Sequence, residues 1–439
     1  MNTGDWLKEV IPDDAQTEAN RKTAGHVMRL VSKEAGKYPD VVGVELGGSY
    51  AKGTWLAGET DIDVFVKFGV GVPDERFRRV SREIGFDSMK GYDPGERYAD
   101  HPYVEAAVDG TVINVVPCYD VERGGWKSAA DRSPHHTRLM RKRLTENQRN
   151  DVRLLKRFLK VRGIYGAQIA VQGFSGYAAE VIILHFGGFE EAVREMANIE
   201  RGSTIGKSAR KFGTPVAIMD PIDENRNLAA AISSRNMGLF ILGCRELAYN
   251  PEASPFDTKD VAPSVGWDNV AAVKFGRGDE NSEIIWGQAR RAASAMARQM
   301  ELGGFTVIRH KALVDDERVC LLFLTESVHI PEKVVRVGPD VLRRADAAKF
   351  AGSEGMVWVS SEMRLLRVEK RAHHAAGALL RHILRDPGKA GIPAGLHHHI
   401  RRGASVTVGG RIAQSIKEEA AELVRADEAV FYAARHAGE

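Results

Sequence analysis

The sequence is poor in the features that mark secreted, disulfide-stabilised or membrane-embedded proteins. Among its 439 residues it has three cysteines, Cys118, Cys244 and Cys320, and their wide spacing fits neither a disulfide framework nor a metal motif. No apolar run approaches the length that crosses a bilayer, and the polar first residues do not resemble a signal peptide. These absences predict a soluble cytoplasmic protein with reduced cysteines and no membrane partner.

The chain also lacks a large excess of charge of either sign, because its formal net charge is only +3. Residues 138–162 are an exception, since only Glu146 and Asp151 oppose their basic side chains. A stripe this one-sided suits a polyanion, whose binding releases counterions. A solvated helix face is the plainer alternative, and the stripe favours nucleic acid or a triphosphate over it. The basic residues are Arg138, Arg141, Lys142, Arg143, Arg149, Arg153, Lys156, Arg157, Lys160 and Arg162.

Residues 47–63, GGSYAKGTWLAGETDID, carry the most informative pattern. Asp61 and Asp63 stand two apart at the head of an apolar run, so in a strand their side chains point to the same side. Two carboxylates fixed at one point suit Mg²⁺, which carries substrate phosphates with it. The turn at Gly48 and Ser49 can offer N–H groups and a hydroxyl to those phosphates. Most D-x-D pairs are solvated acidic turns, but the Gly-Ser turn at this distance favours a nucleotide site.

Short strands and helices alternate over about the first 120 residues. Asp109-Gly110 predicts a two-residue hairpin turn, and Pro117 predicts the end of the strand that follows it. From about residue 150 the pattern becomes helical, beginning with an apolar stripe whose basic neighbours mostly face away from it. The stripe consists of Leu154, Leu155, Phe158 and Leu159.

A second α/β region is predicted after residues 251–265, whose Pro, Ser and Asp content is typical of a linker. Within this region the Gly- and His-rich residues 387–410 predict a loop. Residues 411–436 predict a final amphipathic helix.

The D-x-D region resembles the polymerase-β-like nucleotidyltransferases, and further segments narrow the resemblance to the archaeal-type (class I) CCA-adding enzymes, a family of tRNA nucleotidyltransferases. The resemblance is dense from about residue 40 to 235 and looser beyond. The segments are ADHPYVEAAV at 99–108, VVPCY at 115–119, KSAADRSPHH at 127–136, LLKRFLKVRGIYGAQIAVQGFSGYAAE at 154–180 and DPIDENRNLAAAIS at 220–233.

The resemblance implies a multidomain α/β protein that adds C, C and A to the 3′ end of tRNA from CTP and ATP without a nucleic-acid template. It implies a nucleotidyltransferase head at 1–146, a helical neck that recognises the nucleotide base at 147–258, and an α/β C-terminal RNA-binding body and tail at 259–439. The partners are tRNA, CTP and ATP, and a homodimer is left open.

The resemblance also assigns roles to individual residues. Asp61 and Asp63 are expected to bind two Mg²⁺ ions, and Ser49 and Lys52 to hold the triphosphate. The remaining implied nucleotide contacts come from later segments. They are His136, Lys156 and Tyr165, which face the incoming nucleotide, and Arg226, which reads the base edge.

The chain departs from the family at the third carboxylate of the catalytic site. That position is Asn114, which shares a strand face with its neighbours two residues away but carries no charge. An amide oxygen can approach a metal but cannot supply negative charge, so we expect nucleotide binding to survive and chemistry to fall by about 10²–10³-fold or more. Asn114 is either a substitution made to silence catalysis or a natural feature of a differently wired homologue.

Two other functions stay open at this stage. One is a poly(A) or oligoadenylate polymerase of the same superfamily, which would make a homopolymer instead of three defined additions. The other is a catalytically silent tRNA-binding homologue, which Asn114 alone favours.

Overall fold

The polypeptide divides into two units, one built on residues up to Asp260 and the other on residues 261–427. The computed structural model describes six stretches of the chain. They are 3–59, 61–97, 101–208, 210–257, 266–412 and 414–427. Of the predicted linker, residues 258–265 lie outside them. Within these stretches no helix has the length and apolarity that a membrane crossing needs.

The first unit opens with a five-stranded sheet of order β1-β2-β5-β4-β3. Strand β2 is antiparallel to β1 and parallel to β5, whereas β4 is antiparallel to both β5 and β3. The strands are β1 (Val41–Gly47), β2 (Asp61–Phe68), β3 (Gly95–Arg97), β4 (Tyr103–Val108) and β5 (Thr111–Tyr119), with helices α1 (Thr3–Val10), α2 (Asp14–Ala35), α3 (Gly48–Lys52) and α4 (Asp74–Ser88).

Alternation along β2 decides which face of this sheet is buried. Ile62, Val64 and Val66 are at most 1% exposed and pack in one core with apolar residues of α2 and α4. Because successive strand residues point to opposite faces, Asp61 and Asp63 project from the other face. The apolar half of β2 therefore fixes the sheet on its helices and leaves the acidic half open to a ligand.

The predicted hairpin turn is confirmed, and the predicted strand end at Pro117 is wrong. Asp109 and Gly110 have φ angles of 51° and 78°, which is the positive pair that a type I′ turn requires. Strand β5 continues to Tyr119, with Pro117 opposite Val66 of β2. The ladder with β4 does not extend as far as Pro117, so β5 has a free edge there that tolerates the missing N–H.

The rest of the first unit is mainly helical and surrounds its own core. The four residues of the predicted apolar stripe are 0% exposed there. Helix α6 begins at a capping box formed by Thr145 and Gln148. The elements are α5 (Ser133–Arg143), α6 (Glu146–Val161), α7 (Gly176–Phe186), α8 (Phe189–Ala197), β6 (Thr204–Ile205), β7 (Ala217–Asp220), β8 (Asp223–Asn227) and α9 (Ser234–Tyr249).

The second unit contains two antiparallel sheets, of order β10-β11-β9-β15 and β12-β14-β13. Helices α10, α12 and α13 supply apolar residues to the core of the first of these sheets. The elements are β9 (Val270–Gly276), α10 (Ser282–Leu302), β10 (Val307–Val314), β11 (Arg318–Thr325), β12 (Lys333–Asp340), α11 (Arg344–Ala351), β13 (Met356–Val359), β14 (Arg364–Lys370), α12 (Ala376–Ile383), α13 (Ala394–Gly403), β15 (Ser405–Val408) and α14 (Gln414–Glu419).

Two predictions for the second unit are wrong. Residues 387–410 are not a loop, because they contain α13 and β15. Leu396 and Ile400 lie four residues apart and are buried, which gives α13 its anchoring face despite its Gly and His content. The predicted final helix is cut short, since α14 ends at Glu419; residues 428–436 lie outside the described stretches.

Candidate active site

The acidic edge of β2 forms the first part of the site. Asp63 lies opposite Asn114 of β5, whose amide Nδ2 donates a hydrogen bond to Asp63 Oδ1 at 2.9 Å. Burial raises the pKa of the Asp63 carboxyl, and the nearby Asp61 charge raises it further, against the opposing effects of Asn114 and Lys52. Burial and the charge of Glu105 likewise raise the pKa of Asp61. Two carboxylates with raised pKa values in one place favour the arrival of a cation.

The side-chain atoms of Asp61, Asp63 and Asn114 that could bind a metal ion are oxygens. Asn114 Oδ1 is buried and has no hydrogen-bond partner among the described residues. Those residues contain no group of three or more His, Cys, Asp and Glu side chains arranged for a metal. Two carboxylates with one neutral amide oxygen nevertheless form a hard, oxygen-only donor set, which fits Mg²⁺.

Two glycines let the backbone approach the side chains of Phe65 and Asp63 on β2. A Cβ on Gly47 would lie 2.1 Å from Phe65 Cε2. Gly48 has a φ of +63°, and a Cβ there would lie 1.8 Å from Asp63 Oδ2. Glycine is therefore required at both positions, and the close approach puts Ser49, the next residue of α3, beside the acidic edge.

A buried cluster of charges lies behind α3. Lys52 Nζ donates to Glu180 Oε2 at 2.7 Å, and Thr54 Oγ1 donates to Glu180 Oε1 at 2.7 Å. Lys156 Nζ donates to the Thr54 carbonyl at 2.8 Å and lies 3.9 Å from Glu180 Oε1. Two ammonium groups thus share one carboxylate, which leaves positive charge uncompensated.

Burial and charge oppose each other in this cluster. Burial favours the neutral form of Glu180, but Lys52, Lys156 and the hydrogen bonds outweigh it and lower the pKa of the carboxyl. For Lys156, burial is the largest effect and lowers the pKa to about 8.

The basic stripe is only partly a surface. Its predicted orientation away from the apolar stripe is wrong for Lys156 and Arg153, which are 2% and 7% exposed. Arg153 Nε donates to the Trp55 carbonyl at 2.9 Å, so it fixes the loop after α3. The exposed members include Arg138 and Arg141–Arg143 on α5.

Tyr165 lies near Lys156 of the lysine cluster. Its hydroxyl would be 2.9 Å from a Cβ on Gly176, at the start of α7, and the same Cβ would be 3.5 Å from Lys156 Cε. Burial raises the pKa of the Tyr165 phenol, and the charges of Glu180 and Asp61 raise it further. Tyr165 therefore remains a neutral hydroxyl that can donate a hydrogen bond.

A second buried network is centred on Asp220. His136 Nε2 lies 3.0 Å from Asp220 Oδ2, Arg226 Nη1 donates to the same oxygen at 3.1 Å, and Tyr177 donates to Oδ1 at 3.0 Å. The His136 ring also stacks on Tyr177, with centroids 3.6 Å apart. Burial lowers the pKa of His136 in spite of Asp220, which favours a neutral imidazole that offers both a donor and an acceptor.

An open cleft of about 1000 Å³ borders Asp220. Its basic lining residues come from segments that are distant in the sequence, so an anionic ligand would meet several cations at once. The basic residues are Arg123, Arg143, Lys207 and Arg210, and Glu224 is an acidic one.

Sequence reasoning missed the two anions that organise these networks, Glu180 and Asp220. Both carried a usable signal, because each is a single carboxylate beside an apolar run. Glu180 is followed by VIILHF, and Asp220 is preceded by VAIM. A buried carboxylate in such a position is almost always paired with a cation. The partners themselves are 128 and 84 residues distant in sequence, for Lys52 and His136 respectively.

Family models match most of the chain in three consecutive parts. Residues 28–140 match a nucleotidyltransferase domain, residues 150–257 match the second domain of tRNA nucleotidyltransferase, and residues 268–409 match the C-terminal domain of CCA-adding enzyme. The five-stranded sheet and the helical region of the first unit correspond to the first two matches.

Similar proteins of known name span nearly the same length. A CCA-adding enzyme of Methanothermobacter thermautotrophicus is 31% identical over 398 residues, which cover 87% of each chain. That of Saccharolobus shibatae is 32% identical over 85% of this chain and 90% of its own. That of Pyrobaculum islandicum is 34% identical over 76% of this chain and 80% of its own.

Solved structures give weaker similarity. The Cid1 RNA terminal uridylyl transferase covers 59% of this chain and 97% of its own at a TM-score of 0.45 and 13% identity. The full-length sequence relatives and the three consecutive domain matches agree with one another. The chain belongs to the CCA-adding enzyme family of tRNA nucleotidyltransferases, with a multidomain α/β fold whose first part is a nucleotidyltransferase domain.

Proposed function

We propose that this chain adds C, C and A to the 3′ end of tRNA from CTP and ATP in the cytoplasm, with release of pyrophosphate. The observation that carries the proposal is the meeting of an acidic strand edge and an excess of buried positive charge in the first unit. Membership of the CCA-adding family supplies the substrate class, because the match with this chain covers at least four fifths of each named relative.

The acidic edge is the proposed metal site. Asp61, Asp63 and the amide oxygen of Asn114 would hold two Mg²⁺ ions, as the oxygen-only donor set allows. Metal ions held there would lower the pKa of the attacking tRNA 3′-hydroxyl and neutralise the phosphates of the nucleotide. The chain's own contribution is to keep Asp61 and Asp63 side by side on a strand whose opposite face is locked in the core.

The triphosphate site is proposed to lie beside the acidic edge. Ser49 would donate its hydroxyl, and Lys52 and Lys156 would supply positive charge that one carboxylate, Glu180, does not fully balance. Tyr165, a neutral phenol at this position, would add a hydrogen bond. Such fixed charges stabilise the transferring phosphoryl group without having to move during the reaction.

His136 and Arg226 are proposed to recognise the base. Both are held by Asp220, so their free donors and acceptors have fixed directions. A site that hydrogen-bonds one base edge rejects bases whose donors and acceptors are reversed, because its own buried groups would then be unpaired. C and A share an exocyclic amine where U and G carry a carbonyl oxygen, which is the distinction that this pair is suited to read.

We also propose the three-part division of the chain into a head at 1–146, a neck at 147–258 and a body and tail at 259–439. The tRNA would be held mostly through its phosphates and shape, because the deep major groove of duplex RNA cannot be read by side chains. The exposed arginines of α5 and the basic cleft beside Asp220 are suitable contacts.

Incorporation of labelled CTP and ATP into a tRNA that ends at its discriminator base tests this function. The native chain should be compared with Asn114→Asp, which restores a third carboxylate, and with Asn147→Asp, which adds the same charge at an exposed position of α6. We expect Asn114→Asp to raise incorporation by about 10²–10³-fold and Asn147→Asp to leave it unchanged.

The products separate the alternatives. Three defined additions that require CTP would support CCA addition. A homopolymer of A would instead indicate a poly(A) polymerase. Binding of tRNA without incorporation by either chain, at any Mg²⁺ or Mn²⁺ concentration, would indicate a silent tRNA-binding homologue. If Asn114→Asp gives no gain over the native chain, position 114 is not the missing carboxylate.

A further inference from the structure

The proposed metal site is short of one negative charge. Asn114 occupies the strand position opposite Asp63, but it is neutral and uses its Nδ2 as a donor to that carboxylate. Two carboxylates alone leave two divalent ions with more uncompensated charge than three would. A further anion within reach of this edge would correct the deficit.

Two further carboxylates stand on the same face of the sheet, Glu45 of β1 and Glu105 of β4, and Glu45 is already paired with Lys67. Glu105 of β4 lies directly opposite Asn114 in the antiparallel ladder, and Asp63 lies directly opposite Asn114 on its other side. Residues directly opposite each other project to one face, with Cβ atoms about 4.5–5.5 Å apart. Asp63, Asn114 and Glu105 therefore form a row across three neighbouring strands.

The charge of Glu105 reaches the acidic edge, where it acts on Asp61. Glu105 raises the pKa of Asp61 after burial has done so, and its charge also contributes, with those of Asp61 and Asp63, to a raised pKa of Tyr103. Asp61, Asp63 and Glu105 are not yet grouped for a metal among the described residues, and a divalent cation would stabilise bringing the three together.

The present partner of Glu105 holds it weakly. Arg97 contacts Oε1 through Nε at 2.9 Å and Nη2 at 2.8 Å, and neither contact involves Oε2. The Arg97 side chain is 58% exposed, and surface ion pairs of this kind contribute little. The next residue along the row is Gly95, where a Cβ would meet no atom of the described residues within 4 Å, so Glu105 has room to turn among them.

We propose that Glu105 supplies the third carboxylate of the metal site in this chain, by exchanging Arg97 for the divalent cation held at Asp61 and Asp63. This inference rests on the proposed metal site. It assigns to β4 the charge that Asn114 of β5 cannot provide, while the buried Asn114 Oδ1 stays available as a neutral ligand.

Direct cation binding tests the proposal without turnover. Free Mn²⁺ is measured by electron paramagnetic resonance as purified full-length chain is titrated in, for the native protein and for Glu105→Gln. We expect Glu105→Gln to weaken Mn²⁺ binding by about 10-fold or more. In the Asn114→Asp background the same change should matter much less, because position 114 then carries the charge itself.

Two control variants separate the metal role from the ion pair. Arg97→Gln removes the partner of Glu105 and should leave Mn²⁺ binding unchanged or tighter. Glu96→Gln neutralises a carboxylate of β3, whose register partner Val104 precedes Glu105 and thus faces the opposite side of the sheet. It should leave binding unchanged.

The outcomes are distinguishable. Equal Mn²⁺ binding by the native chain and Glu105→Gln, or equal weakening by Glu105→Gln and Arg97→Gln, overturns the role of Glu105. If Asp61→Asn also leaves Mn²⁺ binding unchanged, the proposed metal site itself fails. Loss of binding in Asp61→Asn without loss in Glu105→Gln leaves the site standing and removes Glu105 from it. Thermal unfolding of each variant identifies any loss that is due to misfolding, and Glu105→Asp, which keeps the charge, should retain most of the binding if the protein is folded.

Discussion

Gly48→Ala tests the contact between α3 and the acidic edge. The added Cβ would start 1.8 Å from Asp63 Oδ2, whereas ordinary contact begins at 3.4 Å. Either the Asp63 carboxylate or helix α3 must therefore move away from the other by more than about 1 Å. At a reacting centre a misplacement of about 1 Å can lower the rate about 10²-fold. The positive φ of Gly48 adds about 1–2 kcal/mol of backbone strain for alanine.

Gly58→Ala is the matched control, because it carries the same backbone cost without the clash. Gly58 has a φ of +73°, and a Cβ there meets no atom within 4 Å in the part of the chain that the structure describes. We expect Gly58→Ala to lose about 1–2 kcal/mol of unfolding free energy and to keep its catalytic rate. Gly48→Ala should lose at least as much stability and should lose incorporation as well.

The assay is the single-turnover rate of CMP incorporation at saturating Mg²⁺, with urea unfolding of each variant beside it. The measurement is repeated in the Asn114→Asp background, where a faster reaction makes a 10²-fold loss easier to resolve. Similar rates for Gly48→Ala and Gly58→Ala would refute the reasoning. The glycine would then serve only the backbone, and the contact with Asp63 would have no catalytic consequence.

Two further predictions concern the buried lysine cluster. Glu180→Gln leaves Lys52 and Lys156 without their shared anion, and we expect it to cost about 3–5 kcal/mol of unfolding free energy in urea, with exposed Glu195→Gln as a control near zero. The pKa of Lys156 is about 8 in the folded chain against an ordinary 10.5. The unfolded chain therefore binds the extra proton between these pH values, and this group makes the unfolding free energy rise as pH increases from about 8 to 10.5. Urea titrations of the native chain and Lys156→Met across that range should show a steeper rise in the native chain, and parallel curves would contradict the shift.

Most of the first sheet could be predicted from local patterns. The D-x-D pair, the alternation after it and the Asp109-Gly110 turn each specify geometry within a few residues, where strand alternation and turn chemistry dominate. The strand after the turn continued past Pro117, because the end of β4 leaves a free edge there. That edge depends on the length of another strand, and no local signal at Pro117 reports it.

The buried networks could be predicted only in part. Lys52, Lys156, His136 and Arg226 were found through family resemblance, whereas the anions that hold them were not. Pairing across 84 to 128 residues depends on tertiary packing, which neither periodicity nor spacing encodes. The same limit applies to Glu105, since only the register of β4 against β5 puts it opposite Asn114.

Glu180 also explains how cations and carboxylates coexist in one site. Burial raises the pKa of Asp63 and the charge of Lys52 partly opposes that rise, so the ammonium group acts on a carboxylate of the acidic edge. A lysine bound there would compete with a metal for the same oxygens. Lys52 instead donates to Glu180, and Lys156 donates to the carbonyl of Thr54, whose hydroxyl also donates to Glu180. The buried carboxylate therefore gives both ammonium groups a partner outside the acidic edge, which leaves Asp61 and Asp63 available to the cations of the proposed metal site.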